Sequence, residues 1–210
     1  GKEVLLVERR PTLGWESTWA GQLDYRGKRS PLASKILQEV ERVGGMNGNV
    51  VDGPILELAL DRMVQAAGIS VLLYSFPVRL VFKGETALGV VVASRSGERV
   101  MRGRAIVDAT EEALLWRQTG VMTEELGAVA ARHSFFMNHA EDGLTLPLDL
   151  GKGFLIGPSV WSGEVRVEYA VAGGDPTAVR RALPDAIRRA RKVSAVSYTH
   201  LRAHETGRNL

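Results

Sequence analysis

Val4-Leu5-Leu6-Val7-Glu8-Arg9-Arg10-Pro11 is the stretch on which the reading of the fold turns. An unbroken run of Val and Leu, without alternation, suits a short strand buried on both faces of a parallel sheet. An acid at the tip of such a strand is where a dinucleotide fold holds a ribose, its carboxylate accepting hydrogen bonds from the 2′- and 3′-hydroxyls. In that arrangement the acid lies about 20 residues beyond a glycine loop. The first strand and its loop are therefore expected ahead of Gly1, and Glu8 becomes the first candidate ligand.

Working outward, Pro11 and Gly14 mark a loop. Residues 34–43 place Ile36, Leu37, Val40 and Val43 on one helical face, with Ser34 as the expected N-cap and Gly44-Gly45 as the stop. Residues 44–53, rich in Gly and Asn, read as a loop. Residues 54–67 form the clearest helix, with Asp52 as cap, Pro54 in the first turn and Gly68 at the end. Residues 70–74 are a second buried-type strand. Residues 79–82, 87–94 and 98–102 read as a three-stranded meander turning at Lys83-Gly84-Glu85 and Ser96-Gly97. Residues 105–108 are expected to return as one more buried strand, followed by a helix over about 111–118.

The pattern changes near residues 127–130. Residues 130–139 and 165–170 alternate as antiparallel strands do, and the 141–163 segment between them is rich in Gly, Pro and Asp. A last helix starts at Asp175 and runs to about Val193, with a break expected near Pro184. The fold class expected is α/β: an incomplete dinucleotide-binding domain over 1–128 and part of a second, β-containing substrate region over 129–195.

Composition narrows the function. The chain has 210 residues, 45% apolar and 24% charged, with a net charge of +3. Its apolar runs fall well short of the roughly 20 residues of a membrane span, so none is expected. With no cysteine there are no disulfides, no thiolate chemistry and no Cys-based metal site, a composition that fits a reducing cytoplasm. The basic run between Arg180 and Lys192 has no aromatic platform beside it and reads as a solvated helix face, so nucleic acid is not an expected partner. No metal-ligand spacing stands out. The last stretch, Val196-Ser-Tyr-Thr-His-Leu-Arg-Ala-His-Glu-Thr206, reads as a translated tagmentation sequencing adapter. Residues 196–210 are accordingly set aside as non-native, together with His200 and His204 and their tempting i, i+4 spacing.

Glu8-Arg9, Leu13-Gly14 and Glu16-Ser-Thr-Trp-Ala-Gly21-Gln-Leu23, followed downstream by Asp108-Ala109-Thr110, resemble the FAD-dependent oxidoreductase family related to fumarate reductase and succinate dehydrogenase flavoproteins. The resemblance covers residues 1–120 and implies a truncated FAD-binding, Rossmann-like domain. It implies Glu8 and Arg9 at the ribose; Gly14, Thr18, Gly21 and Gln22 beside the pyrophosphate and flavin ring; Val78, through its backbone, at the adenine; and Ala109 and Thr110 in the returning cofactor segment. It further implies hydride transfer between an organic small molecule and the flavin, with FAD carrying the redox chemistry. Two positions depart from the family pattern: Trp15 and Glu111 stand where glycine is usual. They keep open an alternative, a non-catalytic relative retaining the fold as a binding module. A nicotinamide-linked enzyme is disfavoured because simple nicotinamide domains return to the sheet through a helix rather than a meander. On the substrate side, His133 and His139 are acid–base candidates, and Arg132 and Arg166 are anion-binding candidates or surface charges.

Overall fold

The computed structural model describes residues 2–19, 28–110, 113–120, 131–138, 145–171 and 176–193. In chain order the first elements are β1 (Leu5–Val7), α1 (Trp15–Thr18), α2 (Pro31–Arg42), β2 (Met46–Asn47), β3 (Val50–Val51), α3 (Gly53–Ala66), β4 (Ser70–Leu72) and β5 (Phe76–Lys83). Then come β6 (Thr86–Ser94), β7 (Gly97–Arg102), α4 (Leu114–Arg117), β8 (Ala131–Asn138), β9 (Leu148–Asp149), β10 (Leu155–Pro158), β11 (Glu164–Val171) and α5 (Pro176–Val193). Two compact units form: Gly1–Leu13 with Met63–Leu126, and Gly14–Arg62 with Gly127–Asn209. Among the described residues the fold is mixed α/β, with one parallel strand pair and three antiparallel sheets.

In the first unit β1 and β4 pair in parallel, Leu5 opposite Ser70 and Val7 opposite Leu72. The two apolar runs form the expected strands, but the expected burial on both faces does not hold: Leu5 stays exposed. Among the described residues β1 has β4 as its sole ladder partner, and a two-stranded sheet cannot enclose its own side chains. The meander β5-β6-β7 is antiparallel as expected. Its first strand begins earlier, at Phe76, because β5 is an edge strand and tolerates the missing N–H of Pro77. The pairing shifts between Pro77 and Arg79, which leaves Val78 as the extra residue of a bulge.

Two further expectations in this unit fail. Residues 105–108 are not a strand. Their composition suits one, but a strand needs a ladder for its backbone groups; among the described residues none runs beside them, and Val107 is 87% exposed. The helix expected from 111 is the shorter α4, starting at Leu114, with Glu111 outside the described residues.

In the second unit α2 begins four residues earlier than the spacing suggested. Ser30, not Ser34, is its N-cap: the Ser30 side chain accepts from the Ala33 amide at 3.1 Å, and Pro31 presets the first turn. Leu37 and Val40 of α2 pack with Val51 of β3 and with Leu56 and Ala59 of α3. The segment expected as loop folds a small hairpin, with Met46 opposite Val51. α3 starts as expected, the Asp52 carboxylate accepting from the Ile55 amide at 2.8 Å. α1 was not foreseen. It ends against the start of α3 so closely that a Cβ on Gly53 would lie 2.4 Å from the Thr18 carbonyl oxygen.

The same unit holds the four-stranded antiparallel sheet β8-β11-β10-β9. One face presents Phe135, Met137, Val165, Val167 and Tyr169 to Val179, Ala186 and Ala190 of α5. Those three helix residues recur on one side at helical spacing. This packing explains why α5 runs unbroken through Pro184, which lies on its exposed side. Arg180, Arg181, Arg188, Arg191 and Lys192 form the solvated face expected of the basic run. Asp175 and residues 194–210 lie outside the described residues.

Gly53→Ala is expected to destabilise the chain by about 1–3 kcal/mol, the usual effect of forcing a group into a filled space. Urea denaturation checks this against Gln38→Ala on the exposed side of α2, where the change should stay within about 0.5 kcal/mol.

Candidate functional site

Glu8 directly follows β1, and its backbone extends the parallel ladder: its amide donates to the Leu72 carbonyl at 2.9 Å and its carbonyl accepts from the Ser75 amide at 3.0 Å. With the main chain fixed, the carboxylate projects from the carboxyl end of the strand pair, the side on which open α/β sheets bind ligands. One of its oxygens accepts from the Arg10 amide at 2.8 Å, which orients it within the half-buried 8–10 turn.

Asp108-Ala109-Thr110 is organised by Asp108, a residue the sequence reading passed over as a ligand. One carboxylate oxygen accepts from the Thr110 amide at 3.0 Å and from its hydroxyl at 2.7 Å. The other accepts from the Leu115 and Trp116 amides at 2.9 and 3.0 Å. Partial burial pushes the carboxyl up, but these four hydrogen bonds outweigh it and hold Asp108 below the usual carboxylate range. Thr110 in turn accepts from the Leu114 amide at 2.7 Å. Asp108 and Thr110 together thus supply acceptors for the first amides of α4, and Ala109 lies exposed between them. Gln118, just past that helix, reads the bulge: its side-chain N–H donates to the Val78 carbonyl at 2.7 Å and its side-chain oxygen accepts from the Leu80 amide at 3.2 Å. No sequence signal marks Gln118, because its partners lie forty residues back along the chain.

In the second unit Gly14 caps α1 in the left-handed region, φ 63, and a Cβ there would lie 2.8 Å from the Leu60 side chain. The left-handed φ is what asks for glycine, since the Leu60 methyl is the end of a flexible side chain and can shift. Thr18 is buried at the end of α1. Trp15 begins that helix, and its ring stacks on Trp19 with centroids 6.1 Å apart. The Trp19 indole donates to the Glu57 carboxylate at 2.8 Å. Gly21 and Gln22 lie outside the described residues.

The substrate-side candidates separate by strand alternation. His133 pairs with Tyr169 across β8 and β11, on the face that packs against α5. Its ring meets Tyr169 edge-on at 5.4 Å. Burial pushes the Tyr169 phenol up to about 12, and its hydroxyl donates to the Val179 carbonyl at 3.0 Å. Arg166 pairs with Phe136 on one side and Gly157 on the other, on the opposite sheet face. It is not a surface charge: it is 2% exposed and forms an ion pair with Glu168 at 2.9 Å. Arg132 shares that face but is exposed. His139 lies outside the described residues.

A family model described as FAD dependent oxidoreductase matches residues 1–141. The chain belongs to this family. No curated protein matches it. Among solved structures it is similar to a geranylgeranyl bacteriochlorophyll reductase-like protein from Thermoplasma acidophilum, with 12% identity, a TM-score of 0.57, and coverage of 89% of this chain and 61% of that one. It is similar to BexE, studied for oxidation during BE-7585A biosynthesis, at 14% identity and TM-score 0.56, covering 97% and 46%. A third is p-nitrophenol 4-monooxygenase PnpA from Pseudomonas putida, at 13% identity and TM-score 0.54, covering 95% and 60%. At these identities the likeness concerns the fold, which is the FAD-binding Rossmann-type architecture. The chain spans about half the length of the structures it matches.

FAD is the family's cofactor. The chain's first unit fits its nucleotide end: a carboxylate fixed at the tip of a parallel strand is the acceptor a ribose needs. Asp108 instead serves its own chain, so what the Asp108–Thr110 turn can offer a cofactor is backbone rather than carboxylate. Among the described residues no group of three or more His, Cys, Asp or Glu could hold a metal ion. No helix there is long and apolar enough to cross a membrane.

Because Asp108 titrates lower in the folded chain than unfolded, its contribution is fully present above the unfolded value and is lost as pH falls through the folded one. Asp108→Ala is therefore expected to cost about 1 kcal/mol at pH 7, as losing a helix cap does. Denaturation below pH 4 should show the gap to wild type closing; a gap independent of pH would contradict the assignment.

Proposed function

We propose that the protein carrying this chain transfers a hydride between an organic small molecule and FAD, and that this chain supplies the ribose and adenine side of the cofactor site together with part of the substrate region. The observation that supports this most is the parallel β1–β4 pair with Glu8 at its carboxyl end, in a chain of the FAD-dependent oxidoreductase family. When bound, FAD would supply the ring that exchanges the hydride. Glu8 accepts hydrogen bonds from the ribose hydroxyls, and Arg9 and Arg10 add positive charge to the same turn. The backbone of Val78 meets the adenine from its bulge. Ala109 and Thr110 approach the cofactor through main chain. Gly14, Thr18, Gly21 and Gln22 are the residues we assign to the pyrophosphate and flavin ring.

On the substrate side Arg166 is the residue we favour. A planar, permanently charged guanidinium is suited to a carboxylate, and Arg166 presents one on the sheet face away from α5, beside Glu168. His133 packs in the core under α5, so its role in this reading is to position Tyr169 and β11. Arg132 and His139 are weaker candidates. The compartment fitting this reading is the cytoplasm.

The full reading frame, purified, is expected to be yellow and to release FAD on denaturation; a colourless protein that takes up no FAD sinks the reading. The 210-residue chain alone is expected to bind no FAD measurably by fluorescence titration, because a glycine loop at a helix N-terminus, which cradles a pyrophosphate, is not within it. The stacking of Trp15 on Trp19 at a position where glycine is usual favours a second reading, a non-catalytic relative. Trp15→Gly decides between them: on the flavoenzyme reading FAD affinity does not rise, and on the second it rises ten-fold or more.

A further inference from the structure

We propose that Tyr74, backed by Arg95, is the platform on which the adenine of the bound dinucleotide stacks; the proposal rests on the flavoprotein reading above. Tyr74 sits two residues past β4 with φ 51, in the left-handed region that bulky L residues rarely adopt. Glycine or asparagine takes that geometry with less strain, so the turn itself does not ask for an aromatic. The strain is held in place by the surroundings. The Tyr74 amide donates to the Arg10 carbonyl at 3.2 Å and the Ser75 amide to the Glu8 carbonyl at 3.0 Å. The Ser75 hydroxyl, in a fully buried residue, donates to the Leu73 carbonyl at 3.0 Å. Strain held in place by its surroundings clusters at functional sites, and at Tyr74 it is the first of two observations behind the proposal.

What the strained turn achieves is placement. Its backbone is laced to the 8–10 turn, so Tyr74 stands beside the ribose-holding Glu8 at the carboxyl ends of β1 and β4. Its side chain is 53% exposed there. A second element independently converges on it. Phe76 pairs with Ala93, which brings the turn between β6 and β7 alongside the start of β5. From that turn Arg95 sets its guanidinium carbon 5.3 Å from the centroid of the Tyr74 ring. A guanidinium at that distance makes a cation–π contact. An accessible aromatic ring with a cation against it is the chemistry that binds a purine base by stacking. Glu8, two residues from the Arg10 carbonyl that holds Tyr74, takes the sugar attached to that base.

The test is FAD affinity of the full-length protein, read from flavin fluorescence. Tyr74→Ala is expected to weaken binding about ten-fold, the scale of one base–aromatic stack. Tyr74→Trp should retain wild-type affinity, and Arg95→Ala should cause a smaller loss than Tyr74→Ala. Tyr74→Gly separates ligand binding from folding: it relieves the left-handed strain, so the melting temperature of the apoprotein should hold or rise while FAD binding falls as in Tyr74→Ala. Unchanged FAD affinity in Tyr74→Ala overturns the proposal alone. A Tyr74→Gly protein that melts lower than wild type also overturns it, since the ring is then a structural brace. A wild-type protein that takes up no FAD overturns the flavoprotein reading and this proposal with it.

Discussion

The first unit depends on one constraint, the in-register parallel pairing of Leu5–Val7 with Ser70–Leu72. Parallel strands cannot be joined by a tight turn, so the chain must cross over between them, and α3 is part of that crossover. Both strands therefore end on the same side. The residues just past those ends, Glu8 to Arg10 on one strand and Tyr74 and Ser75 on the other, are tied together by main-chain hydrogen bonds. A carboxylate, a pair of arginines and an aromatic ring are thereby collected at one edge by backbone geometry alone. The meander adds Arg95 to the same edge through the register of β5 with β6.

Much of this was legible in the sequence, for identifiable reasons. α3 was legible because cap, proline and terminal glycine all agree with its apolar spacing. The meander was legible from alternation and turn residues, and the acid at Glu8 from its place at the end of an unbroken apolar run. What failed was what depends on partners. Residues 105–108 have a strand's composition, yet a strand exists only where a neighbour completes its ladder. Pro184 has a helix breaker's chemistry, yet packing of the opposite face of α5 holds the helix through it. Ser34 and Ser30 are equal as residue types, and only the position of Pro31 tells which one caps α2.

The candidate site was less legible than the fold. Glycine-rich segments flag themselves, but the left-handed conformation of Gly14 at the start of α1 came from the structure and not from its place in the sequence. Gln118 and Asp108 were silent because their importance comes from bonds to main-chain atoms that no side-chain pattern reveals. Strand alternation sorted the rest. His133 and Arg166 look alike as candidates along the chain, but odd and even positions on paired strands send them to opposite faces of one sheet. A catalytic arrangement using both from the same side of that sheet is excluded by register, and Arg166 has Arg132, Ser134, Phe136 and Glu168 among its facemates.

The central claim is that the Glu8 carboxylate at the end of β1 is a ribose ligand of FAD. The most direct measurement is the FAD dissociation constant of the full-length protein with Glu8 replaced by alanine. Hydrogen bonds to a charged acceptor contribute roughly 1.5–3 kcal/mol each, so the account predicts binding at least ten-fold weaker, with the melting temperature of the apoprotein nearly unchanged. FAD affinity equal to that of the wild type would contradict it.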